Sequence, residues 1–420
     1  MTHPARGPGT RPRVLAIHRY FSPDTPPYAS LLRRITAHWA ERDVLVEVLT
    51  SQPSYKPEVA LAPQPRVERV DGVTVRRLPM VPDRGPRLRK PRNLVRFSLL
   101  VLLRVLLARR YDMVMCSTAP PVVLAWCASL AARVRGARFV YHCMDLHPEI
   151  GRLSGEFGHP LVYRALLRLD LATCRRSAAV VVLSEDMRTA LLARDPALAA
   201  SVVVINNFDV PSYDTDELQG ADAQPEPDVL TIAFTGNVGR YQGLEAVTEA
   251  VLGDDPALAQ VRLVFMGEGA AKPALERIVA AARSDRRDRV RLLPHGTSSQ
   301  ARTVMRGADL GLVSLVPGVI AFAYPSKTAT YLSEGLPILA AVEPDSALAR
   351  DVTAWGVGGV LPVGSVEEVR TALLEWAGRR DEVAGMRTRA RAVWREQFSA
   401  EARLADWDAL LDDVTHGRRR

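Results

Sequence analysis

Cysteine is scarce and carries no pattern: Cys116, Cys127, Cys143 and Cys174 include no Cys-x-x-Cys pair and fall mostly in apolar stretches. That argues against a disulfide framework and a zinc site, leaving reduced core residues. No stretch of eighteen uncharged apolar residues occurs, which argues against a membrane-spanning helix. The opening MTHPARGPGTRPR is basic, but no apolar run follows it. A ragged tail is expected there, not a secretory leader. Aromatic residues make up 6% of the chain and are not interleaved with its basic stretches. The surface of a nucleic-acid binder is therefore missing. What is present is a chain of 420 residues, 47% hydrophobic, too long for one ordinary core. Two globular α/β domains in the cytosol are expected.

Acidic residues are lacking in one place. Residues 1–110 hold 21 Lys/Arg against 8 Asp/Glu, whereas the rest holds 34 against 39. The overall charge of +8 thus belongs to one face of the first domain. Its centre is RGPRLRKPRNLVRFSLLVLLRVLLARR (84–110), with nine basic residues and no acidic one. The apolar part is too short to span a bilayer but suits a helix lying on an anionic membrane surface. A buried core helix with a solvated basic lead-in is the alternative.

Strand-like runs alternate with helix-length segments along the whole chain. VLAIH (14–18), VLVEVLT (44–50), MVMC (113–116), RFVYHC (138–143), AVVVLS (179–184) and VVVIN (202–206) belong to the first half, with an inserted hairpin at 66–78. PSYDTDELQGADAQPEPDVL (211–230) breaks the pattern as an interdomain linker. LTIAFTG (230–236), VRLVFMG (261–267), VRLLP (290–294), LGLVSL (310–315) and PILAAV (337–342) follow. Near-continuous apolar strands between helices read as parallel sheets covered on both faces. Ligands of such sheets bind beyond the carboxyl ends of the strands.

Two segments carry chemistry in the second half. The loop after the strand 230–236 contains Gly236, Gly239 and Gly243 ahead of a helix starting near Leu244, with Asn237, Arg240 and Gln242 as side-chain donors. Its spacing is not GxGxxG, so the dinucleotide fingerprint is absent. In AYPSKTATYLSEGLP, Ser326 is expected to cap a short helix and Lys327 to sit in its first turn. A cation is disfavoured at that positive dipole end unless an anion is bound. Arg240 and Lys327, each at a helix start, match a diphosphate; an exposed, solvated lysine is the alternative.

These motifs also resemble those of GT-B glycosyltransferases of family 4, especially the capsule, colanic-acid and O-antigen (fucosamine-transferase-like) subfamily. The resemblance runs through HRYFSPDTPPYASLLRRITAHWAERDVLVEVLT, MDLHPE (144–149), VVVINNFDV, FTGNVGRYQGLE, VFMGEG, PSKTATYLSEGLP and REQFSAEARLADWDALL. It implies an α/β fold of the GT-B type, two Rossmann-like parallel-sheet domains facing a central cleft. Residues 12–210 would bind the acceptor, joined by a returning C-terminal helix at about 400–416. Residues 211–228 would be the linker and 229–398 the nucleotide-sugar domain. The implied reaction moves a sugar, with retention, from a nucleotide-diphosphate donor to a glycan or polyprenyl-linked acceptor. The nucleotide sugar is a substrate, so no cofactor is expected, and neither is a nucleic-acid partner. Asp214-Thr215-Asp216 resembles a metal-binding DxD but lies in the linker with no strand before it, so no metal is called for.

The sequence departs from the family where many members carry a Glu-x7-Glu pair. Phe322 and Thr330 occupy those positions, and Thr330 replaces the carboxylate that holds the ribose. Glu334, one turn further on, is expected to compensate in part. In VYHCMDLHPEI, His142, Asp145, His147 and Glu149 are candidates for orienting the acceptor hydroxyl or taking its proton, a buried histidine or a loop cap being the alternative for any one of them. His147 stands where the subfamily usually has Trp, which makes it a candidate for setting acceptor choice. His18 is a further candidate. Two other readings share the scaffold: a nucleotide-sugar epimerase, and a catalytically weakened membrane-bound scaffold.

Overall fold

The computed structural model describes residues 11–24, 26–54, 62–80, 89–155, 157–210, 225–226 and 228–417. Most of the linker read at 211–228, including Asp214-Thr215-Asp216, lies outside the described residues, as does the basic lead-in through Arg87. The chain divides into two units, residues 1–210 with 403–420 and residues 211–402. No helix among the described residues is long and apolar enough to cross a membrane.

Among the described residues, unit 1 is built on eight strands: β1 (Arg13–Ile17), β2 (Leu45–Ser51), β3 (Val67–Val70), β4 (Val73–Leu78), β5 (Met113–Ser117), β6 (Arg138–His142), β7 (Ala179–Val182) and β8 (Val202–Val204). Their order is β3-β4-β2-β1-β5-β6-β7-β8. All pairs are parallel except the hairpin β3–β4. β5 and β7 are buried at every position, as strands covered on both faces must be.

The helices Arg89–Leu107, Val123–Val134 and Pro160–Arg176 carry the chain from β4 to β5, β5 to β6 and β6 to β7. All three crossovers step the same way across the sheet, so right-handed connection places them on one face. They pack there side by side. The helix Pro27–Glu41, from β1 to β2, takes the other face. There Trp39 meets Trp407 of the last helix, Ala400–His416, edge to face at 6.1 Å.

Unit 2 has, among the described residues, six parallel strands: β9 (Leu230–Thr235), β10 (Val261–Met266), β11 (Val290–Leu293), β12 (Leu310–Ser314), β13 (Ile338–Ala341) and β14 (Gly358–Leu361). The order β11-β10-β9-β12-β13-β14 makes neighbours of β9 and β12, between which the direction of winding reverses. The crevice beyond their carboxyl ends is where such a sheet binds ligands.

The sequence reading missed β14, because Gly358-Gly359 weakens any strand signal. The structure shows why glycine stands there. A Cβ on Gly358, whose φ is +148°, would lie 1.8 Å from the Ile338 carbonyl oxygen, and one on Gly359 would lie 2.2 Å from the Trp376 ring. Backbone approaches backbone, and a tryptophan seals the strand. Gly358→Ala is expected to destabilise unit 2 by roughly 2–5 kcal/mol through strain and overpacking. Calorimetry should show its transition moving down while that of unit 1 stays in place.

Candidate functional site

In unit 2 the two segments singled out by sequence come together at the carboxyl ends of β9 and β12. Lys327 opens the helix Lys327–Ser333. Its Nζ lies 4.5 Å from the centroid of Phe234, the penultimate residue of β9. A Cβ on Gly236 would sit 3.5 Å from Lys327 Cε and 3.6 Å from Nζ, so the lysine lies along the glycine backbone. Gly236 also has φ +108°, which a side chain disfavours. The helix is tied to β9 a second time, because the Thr235 amide donates to the Tyr331 hydroxyl at 3.0 Å. Lys327 and Tyr331 are four residues apart and share one helical face.

Lys327 is half-buried, and burial pushes its ammonium down to about 8. No carboxylate pairs with it among the described residues. The aromatic face gives a weak partner, and the positive end of the helix opposes the charge. At its other end the helix closes on Gly335 (φ +68°). The Leu336 amide returns to the Tyr331 carbonyl and the Gly335 amide to that of Leu332. This double closure explains the abrupt stop.

Three expectations for these segments are corrected. Ser326 does not cap through its side chain: it already has helical angles, and its residue is exposed at the helix mouth. Gln242 is buried, with its Oε1 accepting the Gly239 amide at 2.9 Å, so it braces the loop from within. Glu334 is buried and ion-paired through both oxygens, one to Arg302 and the other to Arg306 at 2.7 Å. Those guanidiniums engage the carboxylate expected to compensate for Thr330. Thr330 itself is half-buried on the helix.

The loop's backbone is also less available than its glycines imply. The Gly236 amide donates to Met266 O and that of Val238 to Glu268 O, both at 2.9 Å. Gly267 and Gly269 allow this pairing, since Cβ atoms there would fall 1.9 Å from Gly236 O and 2.2 Å from Val238 O. With the Gly239 amide held by Gln242, an anion would meet charge and side chains more than glycine amides. Asn237 and Arg240 are exposed on this loop, Arg240 in a 3-10 turn that Gly243 (φ +58°) ends. That turn is fixed to the end of β12 by Val316 N–H to Tyr241 O, 2.9 Å, and Ser314 Oγ to Gln242 O, 2.5 Å.

Unit 1 has its own polar cluster at the carboxyl ends of β1, β5 and β6. His18 Nδ1 and Ser117 Oγ are 2.5 Å apart, and the Tyr28 hydroxyl lies 2.9 Å from His142 Nδ1. His142 is wholly buried, with its ring centroid 4.8 Å from that of Trp407, so a substrate cannot reach it from solvent as expected. Burial pushes both imidazoles down to about 3, so they are neutral at physiological pH.

The loop after β6 carries the remaining candidates. Asp145 is half-buried, and desolvation raises its carboxyl to about 6. His147 is lowered to about 4 by burial and by the nearby Arg194. Glu149 is a strut: it pairs with Arg194, which also holds Asp170 at 2.8 Å, and Asp170 accepts from Tyr141 at 2.8 Å. This network fixes the loop to two helices. Expected as a group that handles the acceptor proton, Glu149 is committed to a guanidinium instead. Arg194, Asp170, Tyr28 and Tyr331 were missed by sequence reading. Only Tyr331 had a local signal, its i+4 relation to Lys327.

Comparison with known proteins places these sites in context. Residues 28–207 match the Glycosyl transferase 4-like domain. The chain is 27% identical over 266 residues to the probable glycosyltransferase WbjE of Pseudomonas aeruginosa, covering 61% of this chain and 63% of that relative's length. It superposes on sucrose-phosphate synthase from Thermosynechococcus elongatus with a TM-score of 0.72 at 15% identity, covering 97% of this chain and 100% of the other. For Anabaena HepE in complex with UDP-glucose the TM-score is 0.66 at 16% identity, with 96% and 99% covered. Residues 28–207 of unit 1 are thus similar to a Glycosyl transferase 4-like domain, in a chain that has the GT-B fold.

Proposed function

We propose that the protein is a retaining glycosyltransferase that moves a sugar from a nucleotide-diphosphate donor to a glycan or polyprenyl-linked acceptor in cell-surface polysaccharide synthesis. It works at the inner face of the cytoplasmic membrane, with residues 84–110 as the peripheral contact. Unit 2 takes the donor and unit 1 the acceptor. The observation that carries this reading is Lys327, a half-buried ammonium at the switch point of the second sheet that pairs with no carboxylate among the described residues. The matched domain, the WbjE relative and the UDP-glucose held by HepE support it.

The chemistry assigns a role to each group. The acceptor hydroxyl forms a bond to the anomeric carbon as the carbon–oxygen bond to the diphosphate breaks, and that electron pair leaves with the diphosphate. Lys327 and Arg240 receive the charge that develops there, with Asn237 and the Ser326 hydroxyl as further donors. Gly236 and Gly239 let the phosphates approach, and Thr330 faces the nucleoside. Asp145 orients the acceptor hydroxyl and takes its proton. A carboxyl at about 6 is ionised at neutral pH yet basic enough for that task. His147 borders the acceptor.

Donor should be consumed only when an acceptor extract is added; conversion of the donor without acceptor would mean an epimerase and would overturn the transferase reading. Lys327→Ala is expected to weaken nucleotide-diphosphate binding by about 10- to 100-fold, the value of a charged hydrogen bond, read by calorimetric titration. Removing the same charge should stabilise the empty protein. The Lys327 ammonium is at about 8 in the fold against 10.5 ordinarily, so between those values the unfolded chain binds more protons and stability rises with pH. Lys327→Met should melt higher than the parent at pH 7, the gap closing as pH climbs from 8 to 10. Asp145→Asn should cut kcat by about 100-fold or more, as loss of a general base does. In the parent, the rate should fall as pH drops through about 6, where Asp145 becomes protonated.

A further inference from the structure

We infer that the outer surface of three adjacent helices of unit 1, Arg89–Leu107, Val123–Val134 and Pro160–Arg176, is one docking face for an anionic lipid surface. This rests on the reading of residues 84–110 as a membrane contact and enlarges it from one helix to a layer.

The first helix is apolar on two sides. Phe97, Val101 and Val105 are fully buried. Val95, Leu99, Leu103 and Leu107 follow one another at spacing four on a different face and are all exposed, Leu107 by 83%. A core helix accounts for the first line and not for the second. The middle helix repeats the pattern. Its small inner residues, among them Ala125, Ala128 and Ala132, are buried, while Trp126, Leu130 and Val134 form a half-buried to exposed line at spacing four. The third helix adds Leu161 and Val162 at its start, the former 68% exposed. Of the eleven large apolar side chains exposed among the described residues, seven lie on these three helices. Isolated exposed leucines need no explanation, but a concentration on one face does.

Charge selects the occupant. The only acid in the three helices is Asp170, which is buried and held by Arg194. Arg92, Arg96, Arg133 and Arg164 are exposed among the apolar lines. A second copy of the face would set arginine against arginine. A nucleic acid would satisfy the arginines and leave the leucines and valines in water. An anionic bilayer satisfies both: the apolar lines enter the headgroup boundary while the guanidiniums reach lipid phosphates.

The test is flotation of the full chain with vesicles of phosphatidylglycerol and phosphatidylcholine, with pure phosphatidylcholine as control. Binding should require the anionic lipid and weaken with salt. Arg133→Gln and Arg164→Gln should each lower it about fivefold. Val134→Asp and Leu161→Asp should lower it further; both sites are exposed, and an unchanged melting midpoint checks folding. Brominated lipid should quench tryptophan fluorescence, and Trp126→Phe should remove that quench. If the variants at 133, 134, 161 and 164 bind as the parent does while Leu103→Asp does not, contact is confined to the first helix and this inference falls. If the parent ignores both vesicles yet still binds nucleotide diphosphate, the membrane reading falls with it and the transferase reading stands. A quench that persists in Trp126→Phe would also overturn the layer.

Discussion

An ammonium withdrawn from water, with no carboxylate beside it among the described residues, is the arrangement on which unit 2 turns. Lys327 has lost part of its hydration, faces the positive end of its own helix and rests on a phenylalanine ring. Burial lowers its proton affinity, and the ring face offsets only part of that loss. The surrounding residues all serve to hold it there. Gly236 leaves the space along which the lysine runs, Tyr331 binds the end of β9, and Gly335 stops the helix after seven residues so that β13 can begin. On the proposed donor reading, a phosphate arriving at this point would restore the solvation the lysine lost.

Unit 1 is organised by the opposite electrostatic choice. Its two deepest imidazoles are kept neutral by burial, and the Glu149 carboxylate is neutralised by Arg194. That leaves Asp145 as the group in the loop whose charge changes near neutrality. Under the proposed reaction, removing a proton from a hydroxyl needs a base without a counter-cation, and receiving a departing diphosphate needs a cation without a counter-anion. Asp145 in unit 1 and Lys327 in unit 2 are the groups that reading assigns to these tasks.

What could be read in advance followed from period and spacing. The apolar runs that became β1, β2, β5, β6, β7 and β9–β13 announced themselves because strands buried on both faces tolerate little else. Gly358-Gly359 did the reverse, since the residue that permits the closest backbone approach is the one that least resembles a strand. At the site, Lys327 was legible because a cation in a first turn conflicts with the helix dipole. Gln242 and Glu334 were misread because polarity alone does not say whether a side chain points toward ligand or scaffold. Their partners, Gly239 for one and two arginines of the helix Ser298–Arg306 for the other, are respectively too local and too distant to announce the contact. Glu149 failed in the same way, because Arg194 lies 45 residues downstream.

The lack of acid on the helical layer is a separate constraint from packing. The inner faces of the three helices are satisfied by the sheet and by one another, and nothing in that packing dictates what stands outside. A solvated outer face would ordinarily mix both signs of charge. Here the excess of 21 basic over 8 acidic residues in the first 110 continues through the middle helix, and the only acid of the third is turned inward to Arg194. Right-handed crossover brings these stretches, separate in sequence, to one side of one sheet. A surface that is at once basic and apolar is poorly matched to water and to a polar partner alike. It is matched where a plane of anionic groups overlies hydrocarbon, and on the inferred docking the fold would hold the loop after β6 at a fixed height above that plane.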